Sequence, residues 1–295
     1  MIAAIPSPGS NAIHIGPLQL RAYGVMIALG VIAAVWLGSR RAEASRRATA
    51  EDVSAIALWG VPAGVIGARI YHLATDWKNY RGRWPDAFKI WSGGLGIWGG
   101  IFFGTLAGLY VAHKRGLRLA MIMDIIAPGL PLAQGIGRIG NWFNQELFGR
   151  PLDAFWAVRI DPQYRPAQYA NATTFHPTFL YELVWDVGIC VALLVIDRRR
   201  PLRPGKLFAL YVALYTFGRF FIERMRTDFA SKVLGLRINE WTSVLVCAVA
   251  VAYLVLARPR PLDPIGEPVA TDELPSEADS QTETETESIV EEETP

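Results

Sequence analysis

"LRAYGVMIALGVIAAVWLGSRRAEASRRA", residues 20–48, decides the fold. From Leu20 to Leu37 the only charge is Arg21, near the start, and then Arg40, Arg41, Arg46 and Arg47 follow in close order. A bilayer core takes about 20 mostly apolar residues as a helix, and dense Lys/Arg clusters beside such a run mark its cytoplasmic end. The stretch therefore reads as a membrane span. Further apolar runs cover 53–73, 95–112, 122–136, 179–196, 207–222 and 241–256, making about seven spans at that bilayer thickness. The run at 122–136 is the shortest of them. The expected fold class is an all-α polytopic membrane protein.

The basic clusters "HKRGLRLA", "DRRRPLRPGK" and "ARPRP" follow the third, fifth and seventh runs. They fall on the same side as the first cluster, which predicts an outside N-terminus and a cytoplasmic C-terminus. Arg81, Arg83, Arg150, Arg159, Arg165, Arg224 and Arg226 lie in the opposite loops, so density beside helix ends decides the orientation rather than a raw count. The longest connection, 141–177, is expected to fold as a small extracytoplasmic cap. Residues 1–258 then form the membrane domain. Residues 259–295, rich in Pro, Glu, Thr and Ser, cannot bury a core and are expected to be a disordered cytoplasmic tail.

Composition agrees. The chain is 52% hydrophobic and 19% charged, against roughly 25% charged in soluble domains. Its net charge of +2 averages a basic body with an acidic tail. Both cysteines, Cys190 and Cys247, lie in apolar runs and read as small buried hydrophobes. Residues 1–10 lack a basic start, so no cleavable leader is expected. No phosphate loop, paired cysteines or histidine cluster is present, so no cofactor, metal or nucleic-acid partner is expected. Gly96, Gly100, Gly104 and Gly108 recur every fourth residue. They form a smooth face for close helix packing, or for backbone approach to a lipid.

Charges inside such runs are costly and face a cavity, a partner or a substrate. Arg138, Asn141 and Glu146 close the fourth run in "GRIGNWFNQELFGR", residues 137–150. "YTFGRFFIERMR", residues 215–226, carries Arg219 and Glu223 four apart, on one helix face. Arg69 lies in "GVIGARIYH", and Arg21 and Tyr23 open the first run. Arginine keeps its charge and offers a planar fork matched to phosphate. On chemistry alone two readings stand equally. One is an anionic lipid headgroup clamp; the other is internal ion pairing, Arg219 with Glu223 and Arg138 with Glu146. His176, in "TFHPTFLYE", reads as a hydrogen-bonding group or, less simply, an acid or base. Tyr181 and Glu182 follow it, and Glu182 needs a donor. Asp124 reads as a carboxylate favouring its own helix dipole.

"GRIGNWFNQELFGR" resembles the signature of bacterial prolipoprotein diacylglyceryl transferases. "LRAYGVMIALG", "GARIYH", "MDIIAPGLPLAQGIGRIGN", "HPTFLYE" and "GRFFIERMRTD" resemble other segments of that family in the same order, across residues 15–257. The resemblance implies transfer of a diacylglyceryl group from phosphatidylglycerol to the lipobox cysteine of a preprolipoprotein signal peptide. A thioether forms and glycerol-1-phosphate leaves. It implies a bacterial plasma membrane location with membrane lipids as neighbours. It also implies Arg138, Asn141, Glu146, Arg219, Glu223 and Tyr23 as catalytic residues. Arg138, Arg219, Asn141, Arg69, His176 and Tyr181 are expected to bind substrate. Some members carry a proposed histidine base between glycine pairs where this chain has "GGLGIWGG", with Trp98 in its place. A mechanism resting on that histidine does not carry over unchanged.

The expected chemistry is displacement at carbon. A thiolate attacks the glycerol carbon bearing phosphate, while Arg138 and Arg219 stabilise the leaving group and lower the thiol pKa. Glu146 and Glu223 orient the arginines in preference to acting as bases, since a carboxylate beside arginine is a poor base. Asn141 adds a neutral donor. Two other functions use the same residues: an anionic-lipid transporter or flippase, for which inverted repeats are the sign and none is visible, and a phospholipid-consuming transferase with another acceptor.

Overall fold

The computed structural model describes residues 4–15, 18–82, 84–89, 93–228 and 230–257. Eight helices carry it: α1 Ala22–Ser45, α2 Ala50–Thr75, α3 Ile97–Lys114, α4 Leu119–Ile126, α5 Gly129–Asn144, α6 Thr178–Arg199, α7 Lys206–Met225 and α8 Ile238–Leu256. Three antiparallel hairpins interrupt the helical plan: β1 (Ala12–Ile15) with β2 (Leu18–Arg21), β3 (Val158–Arg159) with β4 (Thr174–Phe175), and β5 (Lys232–Val233) with β6 (Leu236–Arg237). The expected tail at 259–295 lies outside the described residues.

By length and composition α1, α2, α6 and α8 can each cross a bilayer, and the bent pair α4–α5 makes a fifth if the two count as one span. The fold is thus mainly helical and fits a polytopic membrane protein. The other two expected runs are weaker for physical reasons. The α3 helix is glycine-rich and ends in His113 and Lys114, and α7 carries Lys206, Arg219, Glu223 and Arg224. The run at 122–136 is broken. Ala127 and Pro128 separate α4 from α5, which bend by 41°; a proline ring removes a backbone donor and clashes with the preceding turn.

Large apolar side chains such as Ile32, Trp36, Leu58, Ile66, Phe102, Leu245 and Val255 are exposed on the helices. That is the pattern of a fold solvated by hydrocarbon, where packing rather than water expulsion draws helices together. Small residues make the close approaches. The glycine stripe of α3 packs on a matching stripe of α2: Gly104 meets the Gly60 carbonyl, Gly100 the Gly64 carbonyl and Ala68, and Gly96 the Tyr71 ring. This supports close helix packing over backbone approach to lipid. A Cβ on Gly67 would lie 2.5 Å from the Phe103 Cβ and 2.7 Å from the Gly99 carbonyl oxygen. Gly67→Val is therefore expected to destabilise the fold by about 1–3 kcal/mol, read as a lower thermal midpoint in detergent; an unchanged midpoint would show that the interface yields freely. On the other flank, Gly30 and Gly129 seat α1 against α5 by abutting the Ala133 and Ala34 carbonyls.

Local signals fix the ends. Thr49 and Asp52 form a reciprocal capping box at the start of α2, and Arg115 after α3 binds Glu51 and Asp52 there. The Asp124 carboxylate accepts from the Gly205 N–H (2.6 Å) and the Phe208 N–H (2.8 Å). It therefore caps α7, which corrects the expectation that it serves its own helix. The free donors at a helix start are the strongest partners for such a carboxylate.

The loop after α5, the cap, packs around a small cluster of Phe148, Val158, Ile160 and Phe175. The chain start is strapped to it. Ile5 exchanges backbone bonds with Ala157 and Arg159, and Trp142 Nε1 donates to the Pro6 carbonyl (3.2 Å).

Candidate functional site

The signature stretch is the hinge between α5 and the cap. The helix stops at Asn144 because Gln145 turns left-handed (φ 51°), and Leu147 does so again (φ 60°). Non-glycine residues adopt this region at a cost and need compensating contacts. Gln145 has them: its amide donates to Asp161 Oδ2 (2.7 Å) and accepts from the Asp161 N–H (2.8 Å). Thr178 Oγ1 donates to the Leu147 carbonyl. Two glycines permit the close approaches: a Cβ on Gly140 would collide with Tyr23, and one on Gly149 would lie 2.7 Å from the His176 Cβ. The strand-like bridge from Gly149 to Arg226 joins the signature to the end of α7.

This folding brings Arg138 of α5 and Arg219 of α7 to one carboxylate. Glu182, near the start of α6, receives Arg219 Nη1 on Oε1 (2.7 Å) and pairs through Oε2 with Arg138 Nε. Both arginine side chains keep a little exposure, 17% and 18%. The carboxylates between them are buried, Glu182 and Glu223 alike.

Arg219 Nη2 continues to Glu223 Oε2 at 2.9 Å, the expected pair one helical turn apart. Glu223 is fully buried and also receives Arg226 Nη1 (3.2 Å), Arg237 Nη1 (3.1 Å) and Asn239 Nδ2 (3.2 Å). Arg226 and Arg237 in turn hold Asp228. Burial pushes the Asp228 carboxyl up, but the hydrogen bonds and charges of Arg226 and Arg237 outweigh it and leave the group below the usual carboxylate range.

The expected Arg138–Glu146 ion pair does not form. Glu146 lies beyond the left-handed turn that ends α5, so helix periodicity no longer carries it to the Arg138 face. The contact is relayed. Arg138 Nη1 is 3.5 Å from Asn141 Oδ1, and Asn141 Nδ2 donates to Glu146 Oε1 (2.8 Å), as does Asn144 Nδ2 (3.0 Å). Tyr23 packs on Gly140, within reach of the charges of both Glu146 and Arg138.

Other expected site residues lie apart. Arg69 is buried, and its guanidinium donates to the carbonyls of Asp86, Ala87, Gly93 and Gly94 at 2.7–2.9 Å. It pins the loop before α3 and shares no bond with Arg138 or Arg219. His176 and Tyr181 form a separate group under the cap, with His176 Nδ1 and Tyr181 Oη 3.1 Å apart and Trp156 Nε1 donating to the same hydroxyl (3.1 Å). Burial, then the Arg150 charge, holds the His176 imidazole below its ordinary range. The residue that sequence reasoning left off the site is Glu182. Its signal was present, a carboxylate within an apolar run, but the partners come from two other helices.

A family model described as prolipoprotein diacylglyceryl transferase matches residues 10–256. A phosphatidylglycerol–prolipoprotein diacylglyceryl transferase of Frankia alni is 50% identical over 267 residues, covering 90% of this chain and 70% of the relative. Transferase 1 of Streptomyces coelicolor is 50% identical over 266 residues, covering 88% and 76%. A protein of the same name from Cutibacterium acnes is 47% identical over 260 residues, covering 87% and 88%.

Proposed function

The chain belongs to the prolipoprotein diacylglyceryl transferase family, and from that premise we propose the following reaction and site. The protein is a membrane transferase that moves the diacylglyceryl group of phosphatidylglycerol to a prolipoprotein. The acceptor is the lipobox cysteine of the signal peptide. Its sulfur attacks the glycerol carbon that bears phosphate, the C–S bond forms, the C–O bond breaks, and glycerol-1-phosphate departs.

One observation carries the assignment of the site: guanidinium groups from α5 and α7 converge on a single carboxylate. Two forks aimed at one point suit a phosphodiester that becomes a more highly charged monoester as the C–O bond breaks. Glu223 orients Arg219. Asn141 spans Arg138 and Glu146 and leaves Arg138 correctly placed. Tyr23 closes the side toward α1. The His176–Tyr181 pair sits where the acceptor peptide would approach from the cap. The relatives' names speak for transfer rather than for lipid transport.

The same reading sets the topology. The α3 and α7 helices join the five apolar crossings to make seven. The chain start and the cap lie outside, the residues beyond 258 form the cytoplasmic tail, and the membrane is the bacterial plasma membrane. The test of function is direct. Purified protein incubated with phosphatidylglycerol and a lipobox peptide is expected to yield a diacylglyceryl-cysteine mass and free glycerol phosphate. Phosphatidylglycerol movement across vesicles with no thioether formed would favour the transporter instead.

A further inference from the structure

The forming leaving group raises a charge problem that the arginines do not solve alone. A phosphodiester carries one negative charge and its monoester product carries up to two, while the thiol must lose a proton. In a water-poor site each isolated charge is costly. The arginines there are already matched by carboxylates: Glu182 and Glu223 sit on Arg138 and Arg219. A second anion arriving among these groups favours retention of a proton nearby.

Asp186 offers a place for that proton. It follows Glu182 by one turn on α6, so both side chains share a helix face. It is 2% exposed, and its Oδ2 has no hydrogen-bond partner. Buried carboxylate oxygens are almost always satisfied, and an orphan needs an explanation. The groups facing it are Glu182 on its own helix, Arg138 of α5, and Arg219, Tyr211 and Tyr215 of α7. Gly135 of α5 lies against its Cβ. The Tyr211 hydroxyl that faces it is committed to Gln134 Oε1 (3.1 Å). Oδ2 is thus an open position for a proton.

We infer that Glu182 and Asp186 form a two-carboxyl proton carrier for the transfer, with Asp186 the positioning residue that acts through Glu182. Phosphate takes over the arginine forks and releases Glu182. The lipobox thiol gives its proton to Glu182, and the pair holds it between Glu182 and the orphan oxygen of Asp186. Sulfur then bonds to the glycerol carbon, and the C–O electron pair leaves with the phosphate. The held proton passes to the departing monoester, whose second ionisation lies near pH 6. Both carboxyls return to their starting state, and no net charge accumulates. This rests on the transferase reading above, and it supplies a proton acceptor for a chain that has Trp98 where some family members carry a histidine.

The test uses the full-length protein with phosphatidylglycerol and a lipobox peptide across a range of pH. Asp186→Asn is expected to lower turnover about 100-fold near neutrality, the scale of lost acid–base assistance, with little change in the KM for lipid. Its rate should climb with pH toward the free thiol pKa of about 8.5, whereas the unsubstituted enzyme reaches its plateau earlier. A selenocysteine peptide, already ionised at neutral pH, should restore most of the loss. A deficit of equal size at every pH and with either peptide would make Asp186 structural and overturn the proposal, as would an unchanged profile. If Asn is not accepted by the fold, Asp186→Glu serves: it keeps the carboxyl, so turnover and pH midpoint close to those of the unsubstituted enzyme are expected, and a large loss that is equal at every pH overturns the proposal. Failure of the unsubstituted enzyme to form any thioether would instead sink the transferase reading.

Discussion

Arg138→Lys is expected to lower diacylglyceryl transfer by about 100- to 1000-fold, the loss typical when a preorganised donor to a developing anion is removed. The argument is geometric. Arg138 reaches Glu182 through Nε and Asn141 through Nη1 at the same time, a two-sided contact that needs a planar fork. Lysine has one nitrogen at the tip of a flexible stem. It can meet Glu182 or a phosphate oxygen, but it cannot offer two parallel donors to the phosphate that displaces Glu182. Charge is conserved in this substitution, so long-range attraction for an anionic lipid survives and the KM should move far less than kcat. The measurement is turnover of a lipobox peptide followed by mass. Near-normal turnover in the lysine variant would count against a two-arginine clamp, because it would show that a point charge suffices.

The second large effect concerns stability. Glu223→Ala is expected to destabilise the protein by about 3–5 kcal/mol, the range for breaking a buried ion pair from one side. Glu223 is fully buried and takes Arg219, Arg226, Arg237 and Asn239 on its two oxygens. Alanine leaves three guanidiniums to share Glu182 and Asp228, and Arg219 loses the contact that sets its angle. Glu223→Gln should be milder, since an amide oxygen still accepts, though the charge is gone. Thermal unfolding in detergent measures both. A midpoint for the alanine variant equal to that of the unsubstituted protein would mean that the arginines re-pair without cost.

Much of the fold was legible because membrane spans are written locally, in runs of apolar residues with basic clusters beside them. The glycine stripe of α3 was legible for the same reason, since its four-residue spacing is a property of one helix. What escaped was what depends on other elements. Nothing local says that Glu182 binds arginines from α5 and α7, or that Arg69 spends its donors on carbonyls of a loop beyond the end of its own helix. The expected Arg138–Glu146 pair failed for a readable cause: periodicity was carried past a helix end that only the left-handed Gln145 reveals. The α7 helix falls short of the apolar crossings because it carries the charges of the candidate site. The short hairpins were missed for lack of length; two paired residues leave no alternation to read.

The strap formed by Ile5 and Pro6 has a practical side. It runs through the cap and over the end of α5, so whatever is fused just ahead of it hangs beside the signature loop. An affinity handle there is expected to crowd the peptide's approach. A small fluorophore on Ser7, by contrast, would be a reporter mounted on the cap itself, able to follow its movement as peptide arrives without any probe inside the membrane.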